Sequence, residues 1–237
     1  MKNIFALLAL IFTATFVVSP YFTSPFLGFS ADQLPIPQIN PPVQPEGYAF
    51  AIWGLIYSWL VVSAIFGLWK RSTDSDWDRV RKPLIVSLAA GTPWLAVANQ
   101  SAIWATVLIF VMAAAALTAF IVVPTKDRWL LQAPVAIYAG WLTAAAFVSL
   151  GSTAAGYGLW MGSLGWAYAC IGLALIVSIA MQRFVPRAPE YGATVIWALI
   201  GIMVTNGTVT LGVTLTAAVG IALIGIVAVT GLRSATA

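Results

Sequence analysis

The chain contains no histidine, a single cysteine and few charges: Asp, Glu, Lys and Arg make up 8% of its 237 residues. Each shortage excludes something. Without histidine there is no histidine-ligated haem, none of the usual zinc sites and no imidazole acid–base chemistry. The lone Cys170 cannot close an internal disulfide, and within an apolar run it reads as a small hydrophobe. Soluble domains carry about 25% charged residues, and this chain is 61% hydrophobic, so lipid must be part of its solvent. The strict alternation of a transmembrane barrel is also missing. Instead the apolar runs are continuous and about 20 residues long, the length of a helix that crosses a bilayer. No catalytic dyad, metal-ligand cluster or phosphate-binding loop can be found, so an enzyme is not expected.

What is present is a series of apolar segments. Eight are predicted, at 3–20, 47–69, 83–99, 101–123, 129–150, 158–181, 190–205 and 208–232, giving an all-α polytopic membrane bundle. The eleven basic residues support that count. Lys2 precedes the first segment. Lys70, Arg71, Arg79, Arg81 and Lys82 lie between the second and third, Lys126 and Arg128 between the fourth and fifth, and Arg183 and Arg187 between the sixth and seventh. Arg233 follows the eighth. The alternate connections hold no Lys or Arg, which is the positive-inside pattern with both termini cytoplasmic. The expected location is a bacterial inner membrane. The net charge of +4 therefore points to orientation in the bilayer and not to nucleic acid. Lys2 before an apolar stretch could also open a signal peptide, but no small-x-small cleavage site follows, so a retained helix is expected.

The longest outside loop, residues 21–46, holds Pro25, Pro35, Pro37, Pro41, Pro42 and Pro45, which forbid regular helix or ladder. It reads either as a rigid spacer or as a lid over an opening in the bundle. Asp32 and Glu46 are the sole outside charges, and no charge lies clearly within a span. That argues against an ion-coupled pump and against a retinal protein, which would need a buried lysine.

There are eleven tryptophans. Trp69, Trp77, Trp129, Trp104 and Trp160 fall near span ends and read as interfacial belts. Trp53, Trp59, Trp94, Trp141, Trp166 and Trp197 lie deeper. Trp53 and Tyr57 share a helix face with Phe50, and Tyr138 and Trp141 share another. Such faces could be ordinary core, or could line a pocket where flat rings stack. Weaker signals are Gly158-x-x-x-Gly162, readable as a helix-packing pair, and Pro93 and Pro134 as helix kinks. Asn206-Gly-Thr208 matches a glycosylation acceptor in too short a loop. The run Pro45-Glu-Gly-Tyr-Ala-Phe-Ala-Ile-Trp53 is echoed by Pro189-Glu-Tyr-Gly-Ala-Thr-Val-Ile-Trp197 in a span of opposite direction, the relation of an inverted repeat.

The stretch Pro42-Val-Gln-Pro-Glu-Gly-Tyr48-Ala-Phe50-Ala-Ile-Trp53-Gly-Leu-Ile-Tyr57, following an apolar helix and a Pro-rich loop, resembles the signature of the TspO/MBR family of tryptophan-rich sensory proteins. Tyr138-Ala-Gly-Trp141-Leu-Thr-Ala-Ala145 is similar to that family's fifth-helix motif. The chain departs from the pattern at Gly91 and Ser149, where the family usually has Asn. It is also longer, as in a divergent branch: residues 1–150 resemble the five-helix unit and 151–237 add three helices. The resemblance implies a cavity among the first five helices, closed by the first outside loop, that takes tetrapyrroles, sterol-like molecules or other apolar or lipid ligands. Carried over by position, its ligand-binding residues are Pro42, Tyr48, Phe50, Trp53, Tyr57, Trp94, Tyr138 and Trp141. No metal site or certain cofactor is implied. Three roles remain open: a sensor or carrier of a flat apolar molecule, a small-molecule transporter, or a non-catalytic subunit of a larger, pigment-containing membrane complex. A homo-oligomer is compatible with each.

Overall fold

The structure, a computed structural model, describes residues 4–236, so Lys2 lies outside the described residues. It is all-helical, with no strand among those residues. The helices are α1 (Ile4–Val18), α2 (Ile52–Lys70), α3 (Ser75–Gly91), α4 (Trp94–Ala98), α5 (Ala102–Ile121), α6 (Ala133–Gly156), α7 (Ser163–Phe184), α8 (Pro189–Asn206) and α9 (Leu211–Thr236). Six helical stretches are long and apolar enough to cross a membrane: Ile4–Phe22, Gly47–Lys70, Ala102–Ile121, Arg128–Gly156, Ser163–Phe184 and Leu211–Arg233. The expected third and seventh spans fall outside that set for separate reasons. The third is broken, and the seventh, α8, opens on Pro189-Glu190 and closes on Thr205-Asn206.

The break has a clear cause. Helix α3 starts at Ser75, earlier than the apolar run, because Asp74 caps it by accepting from the backbone N–H groups of Asp76 and Trp77. Its first turn carries Asp76 and Asp78, which suit the positive end of the helix. Its course ends at Gly91, since Pro93 has no N–H to donate, and α4 resumes at Trp94. Pro134 lies within the continuous helical stretch Arg128–Gly156, directly after a wide π turn at Arg128–Gln132, so the helix departs from regular α geometry just before this proline. The Gly158/Gly162 pair is not a helix-packing motif. Gly158 turns the chain at φ +64° after α6, and Gly162 is the residue before α7.

Helix α6 is the axis of the molecule, buried along nearly its whole length. In a bilayer lipid tails are as apolar as leucine, so helices associate where small residues let backbones approach. Helix α6 is rich in Ala and Gly, and a Cβ on its Gly140 would stand 2.7 Å from the carbonyl oxygen of Tyr191 on α8. On one side of α6, contacts run α6–α5–α3–α1–α2 and back to α6, closing a ring. On the other side α7 and α8 pack on α6, and α9 packs on both.

One end of the bundle is tied by charge. Asp127, in the left-handed region at φ +53°, accepts from Arg71 at 2.7 and 3.1 Å and from the Trp77 indole N–H at 2.9 Å. Lys126 pairs with Asp74 at 2.8 Å and Asp76 at 2.9 Å, and Arg128 with Glu190 at 2.6 Å. Trp77 is thus no belt residue but a buried one, 2% exposed, whereas Trp69, Trp104, Trp129 and Trp160 are exposed as the belt reading expects.

The charges in this tie set its pH response. The Arg71 guanidinium holds the Asp127 carboxyl below the usual carboxylate range, against the opposing effect of partial burial. At Asp74 burial pushes the other way, but Lys126 and the N–H groups of Trp77 and Asp76 outweigh it, so this carboxyl is lowered too. A lowered folded-state value means that the unfolded chain binds more protons, so stability rises with pH through that window. The contribution is complete above the free carboxylate value of about 4 and is lost as pH falls below it. Melting temperature in detergent is expected to stay level from about pH 8 to 5 and to drop below about pH 4. A drop already centred near neutral pH would contradict this.

Candidate functional site

Inside the five-helix ring lies a cavity of about 240 Å³. Each helix of the ring contributes to its wall, with Phe16 from α1, Trp53 and Tyr57 from α2, Gly91 from α3, Ile109 and Met112 from α5, and Trp141 to Ser152 from α6. Short α4, resuming after the break at Pro93, adds Trp94 and Leu95. Ser24, Pro25, Phe26, Gly28, Phe29, Gln44 and Pro45 close one end. The Pro-rich loop therefore covers the cavity.

The aromatic side chains interlock edge to face, with one stacked pair, both arrangements their quadrupoles favour. Phe16 is the hub, with its ring centroid 5.8 Å from Trp53, 5.4 Å from Tyr57 and 5.8 Å from Tyr138. Trp53 stacks on Tyr57 at 5.2 Å and meets Trp141 at 6.1 Å and 84°. Phe50 meets Trp141 at 5.8 Å, and Phe26 meets Trp94 at 5.2 Å. Trp94 is oriented by donating its indole N–H to the Ala105 carbonyl at 2.9 Å. The Trp141 indole nitrogen is buried without a hydrogen-bond partner. A polar corner lies on α5 and α6: Thr106 Oγ1 is 2.7 Å from Ser149 Oγ and 2.8 Å from Thr153 Oγ1, and Ser149 and Ser152 line the cavity. Among the described lining residues there is no Asp, Glu, Lys or Arg.

Of the eight residues carried over by position, Phe50, Trp53, Tyr57, Trp94 and Trp141 line this cavity together. The other three do not. Tyr138 is fully buried behind Phe16, its hydroxyl 2.9 Å from Ser87 Oγ, so it supports the wall from outside. Tyr48 turns away and sets its ring edgewise on Trp197 of α8 at 5.5 Å. Pro42 gives its carbonyl to the Asn206 side chain and lines an open groove with Ile36–Ile39, Pro41 and Trp160–Ser163. Sequence reasoning missed Phe16, Phe26, Phe29 and Met112. Phe26 and Phe29 carried a signal, as two large aromatics in a loop whose prolines prevent it from packing as a helix.

The loop is pinned at several points. Gln33 donates to the Ala98 carbonyl at 2.8 Å, and the Asn99 side chain donates to the Ser24 carbonyl at 3.1 Å. Gln44 donates to the Leu27 carbonyl at 2.7 Å. Its amide fills the space beside Gly28, which sits at φ +128° and where a Cβ would meet Gln44 at 2.5 Å. The Ile36 N–H donates to the Gly156 carbonyl at 2.8 Å, and Leu34 is buried on Gly156.

A family model described as TSPO-like protein matches residues 1–230. The match thus continues well past the motifs, through α7, α8 and most of α9. Comparison with curated proteins and with solved structures finds no match.

Proposed function

The chain belongs to the family of TSPO-like proteins, and from that premise we propose that it is an integral membrane protein of eight spans that holds a flat, uncharged, apolar ligand in the ring cavity. The ligand would be tetrapyrrole- or sterol-like in outline, and the role that of a non-catalytic sensor or carrier. The observation that carries the reading is the cavity wall, with interlocked aromatic rings, a few hydroxyls and no charge. Transferring an ionised carboxylate to such a site without a partner is strongly unfavourable, and the loop above it bears only acidic charges, Asp32 and Glu46. A volume of about 240 Å³ is just short of the roughly 300–1,000 Å³ of ordinary small-molecule sites. A ligand as large as a porphyrin would therefore require the loop to move.

The span count has its own support. Arg71 meets Asp127, Arg128 meets Glu190, and a Cβ on Gly231 of α9 would stand 2.9 Å from Pro186. The connections after α2, α5 and α7 and the end of α9 therefore gather at one end. A pair of helices that goes out and returns between two such connections supports the reading of α3–α4 and α8 as full crossings. Because that end carries the basic connections, the positive-inside rule assigns it to the cytoplasm.

Titration with a porphyrin dimethyl ester, an uncharged probe, is expected to quench tryptophan fluorescence saturably, and the corresponding free dicarboxylate to bind at least tenfold more weakly. Trp53→Ala with Trp141→Ala should abolish saturable quenching of the remaining tryptophans. If neither probe quenches at saturation in the folded protein, the reading fails. If the dicarboxylate binds better, the uncharged-ligand assignment fails.

A further inference from the structure

Helix α8 contributes none of the described residues that line the cavity, yet it grips the chain segment that carries the lid into α2. Trp197, Gly201 and Thr205 are spaced i, i+4, i+8 and form one stripe. That stripe runs along Pro42–Ala49. The Trp197 indole N–H donates to the Ala49 carbonyl at 2.9 Å, and the Tyr48 ring stands edgewise on the same indole. The Glu46 backbone N–H donates to the Gly201 carbonyl at 3.1 Å, and the Thr205 hydroxyl donates to Glu46 Oε2 at 3.3 Å. The Asn206 side chain donates to the Pro42 carbonyl at 2.8 Å. Gly201 permits the approach, since a Cβ there would stand 2.8 Å from the Pro45 Cβ and 3.0 Å from the Ala49 Cβ.

The gripped segment adjoins the cavity directly: Gln44, Pro45 and Phe50 line it, and Gln44 ties the rest of the lid through Leu27 and Gly28. The opposite limb of the loop is held by α4 and its following residue, through Gln33–Ala98 and Asn99–Ser24. Between the two limbs the Ile36 N–H donates to the Gly156 carbonyl at the end of α6, so the lid has three separate anchors, and only one of them depends on α8. The two echoing runs, Pro45–Trp53 and Pro189–Trp197, are accordingly brought together here, with Trp197 at the end of the second touching the middle of the first.

We propose that α8 is a latch: Trp197, Gly201 and Asn206 are positioning residues that keep the Pro42–Ala49 limb of the lid closed, and displacement of this face of α8 opens the cavity at its loop end. Its importance for function rests on the cavity being the ligand site, but closure can be tested with no ligand at all. In a Cys170→Ser background, Ser152→Cys places a thiol on the cavity wall and Ser63→Cys places a control thiol, buried on α2 toward the opposite end. Reaction with a small methanethiosulfonate reagent is followed in detergent. Trp197→Phe with Asn206→Leu removes the hydrogen bonds that these two side chains give to the Pro42–Ala49 limb while keeping an apolar side chain at each position, and is expected to speed modification at position 152 by about tenfold, with position 63 unchanged. Gly201→Ala, which pushes on Pro45 from a single methyl, should act in the same direction and decides the matter if the double variant does not fold. Unchanged rates at position 152 in a variant that melts like its parent overturn the latch, as does equal acceleration at position 63, which marks general loosening. A negative porphyrin titration would leave this result standing.

Discussion

Gly140→Val is expected to lower the melting temperature by roughly 6–12 °C, from a loss of about 3 kcal/mol. At position 140 α6 and α8 approach closely. A Cβ there stands 2.7 Å from the carbonyl oxygen of Tyr191 and 3.1 Å from the Thr194 Cβ. The first neighbour is backbone and cannot rotate aside, so the helices must separate. Tyr191 is fully buried, stacked on Phe120 at 4.9 Å, with its hydroxyl 3.0 Å from Thr143. Separation therefore disturbs three helices at once. Gly140→Ala should be milder, because the gain of about 1 kcal/mol in helix propensity offsets part of the clash. Gly54→Ala on α2, whose Cβ would meet nothing within 4 Å, should be neutral or slightly stabilising. Melting followed by tryptophan fluorescence in one detergent separates the three. A Gly140→Val protein that melts with its parent would refute the close α6–α8 contact as a determinant of stability.

The second large effect is expected at Asp127. Replacement by Ala removes the acceptor of the Trp77 indole N–H. That group belongs to a residue 2% exposed, so an unpartnered donor there costs about 1–3 kcal/mol. The residue also sits in the left-handed region at φ +53°, which Asp and Asn tolerate and Ala does not, at about 1–2 kcal/mol. Together they amount to about 3 kcal/mol, again roughly 6–12 °C. The ion pair with Arg71 adds less than its short distance implies, since that side chain is 36% exposed and solvent screens it. Asp127→Asn keeps both the backbone preference and an oxygen for Trp77, so it should lose far less than Ala, and it should flatten the acid limb of the pH profile. If Asn proves as damaging as Ala, the charge and not the Trp77 bond is what holds this end together.

Much of the molecule is legible without coordinates. Hydropathy and charge are local properties of the chain, so the all-helical membrane class and the order of the apolar runs follow from composition along the sequence, while the Asp74 cap and the turn at Gly158 set helix ends away from the run ends. The basic residues mark which connections gather at one end. Two motifs marked four residues that do meet in one cavity, and Trp94 of α4 is a fifth, because i, i+3 and i, i+4 spacing places side chains on a common helix face wherever that helix ends up.

What could not be read is which face turns inward. Helices that are apolar all round carry no amphipathic signal, and in a bilayer no hydrophobic gain distinguishes lipid from protein as a neighbour. The choice fell to close approaches and single hydrogen bonds between distant positions. Gly140 against Tyr191 made α6 the shared axis. Ser87 drew Tyr138 behind Phe16, out of the cavity. Trp197 and Asn206 turned Tyr48 and Pro42 toward α8. The sequence by itself determined a charge-poor, tryptophan-rich helical membrane protein and most of one aromatic wall. Only the tertiary structure decided what closes that wall and what holds the closure, because those contacts join residues up to 164 positions apart and leave no periodic trace in the chain.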